Sequence, residues 1–276
     1  MRSCNMPSGA QMPVFGIGTW RMGESARRRA QELEAVKYAV ELGYPMIDTA
    51  EMYGDGVAEE IVGEALAGHR RRPFIVSKVY PHNATRSGTV AACERSLKRL
   101  GIERIDLYLL HWRGGARLEE TFEAFHRLRE GGKIADFGVS NFDTDDMQDA
   151  ARLDKGLTCS NQVLYCLSRR GPEFDLLPWM RKRSIPLMAY SPLDQGRLLG
   201  NATLKKLAAE VGCTPAQLAL AWVLAQPGVV TIPKSMTRER VKENLGAVDL
   251  TLPHEALAEL DRAFPPPRRR QSLEML

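Results

Sequence analysis

The sequence lacks the features of a secreted, membrane-spanning or metal-binding protein. Its five cysteines are scattered and none forms a C-x-x-C pair, so neither a disulfide framework nor a metal cluster is predicted. No apolar run approaches the length of a membrane span, and the segment MRSCNMPSGA has no signal-peptide core. We therefore expect free thiols in a reducing, cytoplasmic environment.

Two further absences narrow the choice of partner. The formal net charge is only +4 over 276 residues, which indicates neither a nucleic acid nor a membrane surface as partner. No strand candidate is followed by a G-x-G-x-x-G segment, because GIGTW lacks the third glycine and enters no helix directly. A Rossmann-type dinucleotide domain is therefore not favoured.

What the chain does have is a regular alternation of short β-rich runs with amphipathic segments. Several runs are almost continuously apolar, as in parallel strands buried on both faces. The eight strand candidates are FGIGTW (15–20), PMIDTA (45–50), FIVSKV (74–79), IDLYLLH (105–111), IADFGVS (134–140), TCSNQVLY (158–165), IPLMAY (185–190) and VVTIP (229–233). Between them, helical patterns cover 30–43, 56–68, 88–101, 118–132 and 204–212, and Thr214-Pro215 opens another.

This order predicts an α/β fold, a single (β/α)8 TIM barrel over residues 1–276 with a short N-terminal β-hairpin. An open doubly wound sheet is the alternative architecture. The segments 1–11 and 265–276 are expected to be loose.

Polar side chains follow the carboxyl ends of seven strand candidates, and in a barrel these ends face the active site. They are Asp48, Lys78, His111, Ser140 with Asn141, Asn161 with Gln162, Tyr190 with Ser191, and Lys234 with Ser235. Each one alone has an ordinary explanation, and Asp48 with Lys78 could be only a structural ion pair. Together they predict a catalytic site.

The run MIDTAEMY (46–53) places a carboxylate at the end of a buried strand, where it needs a cation. Lys78 is the candidate. At about 4 Å and an effective dielectric of about 20, its charge should lower the pKa of Tyr53 by roughly three units, toward neutrality. Tyr53 would then suit the role of general acid, with His111 orienting a carbonyl oxygen.

The motifs MIDTAEMYG, SKV, LYLLHW, GVSNF, NQVLY, AYSPL and IPKS, in this order, resemble the aldo-keto reductase family from about Met12 to Asp261. The resemblance implies a barrel that binds a nicotinamide cofactor without a Rossmann domain and reduces an aldehyde or ketone. It implies a catalytic tetrad of Asp48, Tyr53, Lys78 and His111, with Tyr53 as the acid. The implied cofactor-binding residues are Thr19, Trp20, Asp48, Ser140, Asn141, Gln162, Tyr190, Ser191, Leu193, Gln195, Lys234, Ser235, Arg240 and Asn244.

The segment IPKSMTRERVKEN (232–244) bears on the choice of cofactor. Whether Ser235 or Thr237 caps the helix, the third helical position is an arginine, where glutamate is usual. Cations there favour an anion at the helix N-terminus. Because the resemblance assigns the 2′-phosphate to Lys234, Ser235 and Arg240, we predict NADPH rather than NADH.

The substrate pocket implied by the resemblance is lined by Trp20, Met52, Tyr80, His111 and Trp112. A short tail after Asp261 suggests a broad site for small aldehydes. The stretches SKVYPHNAT, LYLLHWRG and LSRRGPEFDLLPW are most similar to a bacterial branch associated with methylglyoxal and other 2-oxoaldehydes.

Three further expectations concern the pocket rim, the oligomeric state and the alternative functions. Arg113 stands where many relatives have proline, and we hypothesise that it reaches the rim and favours anionic or dicarbonyl substrates. The enzyme is expected to be a monomer, and no role is assigned to Arg268–Arg270. The alternatives are an NADPH-binding regulatory or sensor subunit with little turnover, and a barrel hydrolase, which would need a metal cluster or a carboxylate pair.

Overall fold

A two-stranded hairpin precedes the barrel in the computed structural model, which describes residues 2–69 and 72–276. Strands β1 (Ser3–Asn5) and β2 (Gln11–Pro13) pair antiparallel. Met6 and Met12 of this hairpin are buried in one cluster with Met46, at the amino end of a barrel strand. Met6 therefore ties the hairpin to the barrel interior, while most of residues 2–11 are exposed.

The barrel itself consists of eight parallel strands whose order follows the sequence. They are β3 (Ile17–Gly18), β4 (Met46–Asp48), β5 (Phe74–Val79), β6 (Ile105–Leu110), β7 (Ile134–Ser140), β8 (Asn161–Leu164), β9 (Leu187–Tyr190) and β10 (Val229–Thr231). The first and last strands meet, because Gly16 N–H donates to Thr231 O at 3.0 Å and Gly18 N–H donates to Pro233 O at 3.1 Å. The predicted closed barrel is confirmed, and the doubly wound alternative is wrong.

Helices surround the strands and cover their outer faces with a large apolar cluster. Those described are α1 (Arg29–Glu41), α2 (Val57–Leu66), α3 (Arg86–Leu100), α4 (Leu118–Glu130), α5 (Thr144–Leu153), α6 (Leu176–Arg181), α7 (Ala202–Val211), α8 (Pro215–Ala225), α9 (Arg238–Leu245) and α10 (His254–Ala263). Within 2–69 and 72–276, no single helix has the length and apolar character of a membrane span; one pair, α7 with α8, reaches both only when its members are joined across an 84° bend.

Strand register decides which side chains meet inside the barrel. Asp48 is level with Val76 of the neighbouring strand, and Val76 belongs to the interior cluster. Because side chains alternate along a strand, Lys78 points to the same face as Val76, one step nearer the carboxyl end. Asp48 and Lys78 are therefore brought together in the barrel interior, near the end where the strands finish.

Candidate active site

Lys78 lies at the centre of a buried polar cluster and is itself fully buried. Its Nζ donates to Asp48 Oδ2 at 2.8 Å, to the backbone oxygen of Thr49 at 2.8 Å, and to Tyr53 Oη at 3.2 Å. Gln162 Nε2 donates to the other Asp48 oxygen at 2.7 Å. The ammonium thus uses all three of its hydrogens, and one of them holds the Tyr53 hydroxyl.

Tyr53 is positioned by the turn that follows strand β4. Its N–H donates to Ala50 O, and Gly54, the next residue, has a positive φ of 55°. A Cβ at Gly54 would lie 2.7 Å from the Gly23 backbone, so glycine is required there for two reasons. The buried carboxylate of Glu51 fixes the same turn, because it accepts from Tyr80 N–H at 2.8 Å.

The electrostatics of Tyr53 differ from the sequence-based expectation. Burial raises the pKa of the Tyr53 phenol well above 10, and the Asp48 charge adds to that rise. The predicted shift of the Tyr53 pKa toward neutrality is therefore wrong for the protein alone, because desolvation is the largest effect and the Asp48 charge acts in the same direction. Tyr53 keeps its proton, and the Lys78 ammonium is in place to stabilise a phenolate once that proton has left.

His111 stands beside Tyr53, with the two rings edge to face and their centroids 5.6 Å apart. Burial lowers the pKa of His111 well below 6.5, and the Lys78 charge lowers it further. The imidazole is consequently neutral at physiological pH. Its buried Nδ1 has no hydrogen-bond partner within the described part of the chain. A neutral ring keeps one N–H to donate to a substrate oxygen.

A cavity of about 950 Å³ opens above the tetrad, and we call it the substrate cavity. Apolar and aromatic side chains dominate its wall, which suits a small, weakly polar ligand. The described lining consists of Gly18, Trp20, Asp48, Met52, Tyr53, His111, Trp112, Ser140, Asn141, Gln162, Tyr190, Ser191, Ile232, Lys234, Met275 and Leu276.

Most of the predicted pocket residues line this cavity, but Tyr80 does not. Its ring packs edge-on against Trp112, with centroids 5.1 Å apart, and so supports that wall from behind. Met275 and Leu276 were missed, because the sequence shows only a short tail and gives no sign that the tail returns to the barrel mouth.

A second cavity adjoins the first and shares Trp20, Ser191 and Lys234 with it. Its wall also contains Leu193, Gln195, Ser235, Arg240 and Asn244. We call the two cavities together the cofactor trough. A trough with a tetrad at one end and cations at the other fits an elongated dinucleotide with a phosphate at its far end. Every predicted cofactor residue except Thr19 lines it.

The Thr19 side chain binds the protein backbone and lies outside the cofactor trough. The residue is fully buried, and its hydroxyl donates to Asp48 O at 3.1 Å. Arg21, two residues later, does line the second cavity. Arg21 has a positive φ of 63°, which turns the chain at this point. No sequence motif indicated that Arg21 would line the cavity.

A hydrogen-bond chain lines the wall near the tetrad. Ser140 Oγ donates to Gln162 O at 2.9 Å, and Asn141 Nδ2 donates to His111 O at 3.1 Å. Tyr190 Oη donates to Asn141 Oδ1 at 3.0 Å. These bonds fix amide, hydroxyl and aromatic groups at one spot, where a planar ring bearing a carboxamide could stack and be held.

The far end of the trough contains the N-terminus of α9. Thr237 is the N-cap, and its hydroxyl accepts from the backbone N–H of Arg240. Arg240 therefore takes the third helical position, which was one of the two predicted registers. Burial lowers the pKa of Lys234 from its usual range, so an anion beside that ammonium would be stabilising.

Arg113 does not take the hypothesised place at the pocket rim. Its guanidinium donates to Asp146 at 2.5 Å and to Asp149 at 3.1 Å, both on α5. The hydrogen bonds to these carboxylates raise the pKa of Arg113 further. The predicted position of Arg113 at the pocket rim is wrong, because the nearby α5 carboxylates pair with its guanidinium.

A closed (β/α)8 barrel with a buried Asp-Tyr-Lys-His cluster beside a dinucleotide-sized trough defines a class, the nicotinamide-dependent carbonyl reductases. Comparison with known proteins is in agreement: a model described as the aldo/keto reductase family matches residues 14–264. The chain belongs to this family, which confirms the predicted class of enzyme.

Individual relatives align with this chain over nearly their whole length. Methylglyoxal reductase YeaE of Escherichia coli K12 is 48% identical over 96% of this chain and 95% of its own. Glyoxal reductase of Bacillus subtilis 168 is 36% identical over 92% and 90%. An aldo-keto reductase of Klebsiella pneumoniae, solved in complex with NADPH, superposes with a TM-score of 0.95 at 48% identity, covering 100% of this chain and 99% of that one.

Proposed function

We propose that this chain reduces small aldehydes, 2-oxoaldehydes such as methylglyoxal above all, to alcohols with NADPH. One observation carries the proposal: Tyr53 Oη lies 3.2 Å from Lys78 Nζ at the floor of an apolar cavity that His111 also lines. Two relatives named as methylglyoxal and glyoxal reductases support the substrate class. A relative solved with NADPH supports the cofactor.

Each tetrad residue has a distinct task in this reaction. The neutral His111 donates a hydrogen bond to the carbonyl oxygen and orients it toward Tyr53. When bound, the nicotinamide supplies the hydride to the carbonyl carbon. Tyr53 gives its proton to the oxygen, and the resulting phenolate is stabilised by Lys78 at 3.2 Å. Asp48, bound to Lys78 at 2.8 Å, keeps the ammonium charged in its buried position.

The residues of the trough account for the cofactor's orientation. Ser140, Asn141 and Gln162 would hold the carboxamide, with Tyr190 as the stacking surface. Ser191, Leu193 and Gln195 would meet the pyrophosphate. Lys234, Ser235 and Arg240 would bind the 2′-phosphate, and Asn244 the adenine. We call the part of the trough around these last four residues the adenosine end.

The test compares two substrates of equal chain length, methylglyoxal and propanal, by the loss of NADPH absorbance. Both carry an aldehyde, and only methylglyoxal has the 2-oxo group. We expect both aldehydes to be reduced, with a higher kcat/KM for methylglyoxal. One alcohol should form for each NADPH oxidised. NADPH binding without turnover of either aldehyde would instead favour the regulatory or sensor subunit. A cytoplasmic location and a monomeric state remain predictions from the sequence.

A further inference from the structure

The last segment of the chain lies across the barrel mouth, and we call residues 265–276 the strap. Arg170 anchors its base, donating to Phe264 O at 2.6 Å and to Asp261 at 2.7 Å. Arg270 forms ion pairs with Asp145 at 2.8 Å and Asp175 at 3.1 Å. The strap is therefore tied to the barrel by charged contacts before it reaches the substrate cavity.

Arg169 holds the strap's far end. Its Nη1 donates to Glu274 Oε2 at 2.5 Å, and the next two residues of the strap, Met275 and Leu276, line the substrate cavity. The two neighbouring arginines thus bind opposite ends of the strap, Arg170 at its base and Arg169 at its tip.

The same Arg169 also faces the loop at residues 191–196, which we call the cofactor loop. Arg169 Nε lies 3.7 Å from Asp194 Oδ1, too far for a hydrogen bond. Both atoms are buried, and neither has a hydrogen-bond partner among residues 2–69 and 72–276. The other Asp194 oxygen accepts from Ser168 Oγ at 3.3 Å. A charge-assisted bond between Arg169 and Asp194 is thus less than 1 Å from forming.

The cofactor loop has a strained backbone. Ser191, Asp194 and Gln195 have positive φ values of 47°, 47° and 56°, although none is glycine. Such conformations persist only where the surroundings hold them, and they occur at sites that bind or switch. Leu193 and Gln195 of this loop line the second cavity of the trough, so a dinucleotide there would contact the loop directly.

We propose that Arg169 is a positioning residue that couples the cofactor loop to the strap. A dinucleotide in the trough draws the loop inward, and Asp194 then completes its hydrogen bond to Arg169. Arg169 in turn fixes Glu274, which holds Met275 and Leu276 over the substrate. The coupling is reciprocal, so an ordered strap also tightens dinucleotide binding. This inference rests on the proposed binding of NADP(H).

The strap carries its own reporter, because Arg268, Arg269 and Arg270 are exposed and are trypsin sites. We would follow release of the peptide after Arg270 by mass spectrometry, with and without saturating NADP⁺. Binding is measured separately by quenching of tryptophan fluorescence, since Trp20 lines both cavities. Neither readout depends on turnover.

Three variants sharpen the test. Arg169→Gln removes the charged contacts to both Asp194 and Glu274. Glu274→Gln removes only the ion pair between Arg169 and the strap, and because Glu274 is half-exposed the change should not affect folding. Arg197→Gln is the matched control, because Arg197 lies 4.0 Å from Asp194 but is not among the strap's anchors.

We expect NADP⁺ to slow cleavage about 3-fold to 10-fold in the wild type and in Arg197→Gln. Protection should disappear in Arg169→Gln and in Glu274→Gln at NADP⁺ concentrations that saturate the fluorescence change. Protection that survives in both variants, or is absent from the wild type despite NADP⁺ binding, overturns the coupling alone. No fluorescence change at any NADP⁺ concentration overturns the proposed function as well.

Discussion

At the catalytic end of the trough, Asp48 and Lys78 are buried and bound to each other, whereas at the adenosine end Lys234 and Arg240 line an open cavity. The first pair is complete before any ligand arrives, and the second set of charges is available to an incoming anion. The catalytic charges are therefore prearranged inside the barrel, while in the proposed function the choice of cofactor depends on accessible cations at its edge. Mutations at the catalytic end should consequently lower kcat, whereas mutations at the adenosine end should weaken NADPH binding.

The largest effect is expected at Lys78. Lys78→Met leaves the Asp48 carboxylate buried without its cation, which should cost about 3–5 kcal/mol in the free energy of unfolding. It also removes the group that stabilises the Tyr53 phenolate, so kcat should fall by about 10²-fold or more. Denaturant unfolding and steady-state kinetics measure the two effects.

A second variant separates stability from catalysis. The double change Asp48→Asn with Lys78→Met removes both buried charges and should recover most of the lost stability without recovering kcat. Recovery of activity in the double variant would contradict the role given to Lys78.

A smaller and different effect is expected at the adenosine end. Arg240→Gln would remove the proposed charge-assisted contact to the 2′-phosphate, so NADPH affinity should fall about 10-fold to 100-fold while NADH affinity and kcat stay unchanged. Arg238→Gln is the control, because Arg238 is paired with Glu34 and stacks on Tyr38. Equal affinity of the wild type for NADPH and NADH would contradict the assignment.

The smallest expected effect is the pH dependence. Burial and the Asp48 charge raise the pKa of Tyr53 well above 10, and burial with the Lys78 charge lowers that of His111 well below 6.5. An acid with a raised pKa stays protonated until the pH rises through that pKa. The value of kcat/KM for aldehyde reduction should therefore be flat from about pH 7 to 9. An activity loss with an apparent pKa near 7 would show that Tyr53 titrates as the sequence alone suggested.

The strands and the tetrad could be predicted from the sequence because their signals are local. A strand buried on both faces is a short apolar run, and a polar residue at its end is visible beside it, as in MIDTAEMY. All eight strand candidates are strands in the structure. Helix α5 was not predicted, since only Met147 and Leu153 among its ten residues are large and apolar, and its buried face consists mainly of the small residues Thr144 and Ala150 around Met147.

What could not be predicted depends on contacts distant along the chain. The strap lies over the cavity because Arg169 meets Glu274 across 105 positions and Arg270 meets Asp145 across 125. Arg113 turns away from the pocket for a similar reason, since α5 supplies its carboxylates. The direction of the Tyr53 pKa shift was missed because desolvation depends on three-dimensional burial, which the order of residues does not display.

The contrast between the two ends is tested most directly by Tyr53→Phe, which removes one hydroxyl and changes no charge. Methylglyoxal reduction and NADPH binding are measured on the same preparation. We predict that kcat falls by about 10²-fold or more while the Kd for NADPH is unchanged, because Tyr53 is the proposed acid and other residues hold the cofactor. A variant that keeps wild-type kcat would contradict the central claim and assign proton transfer to another group.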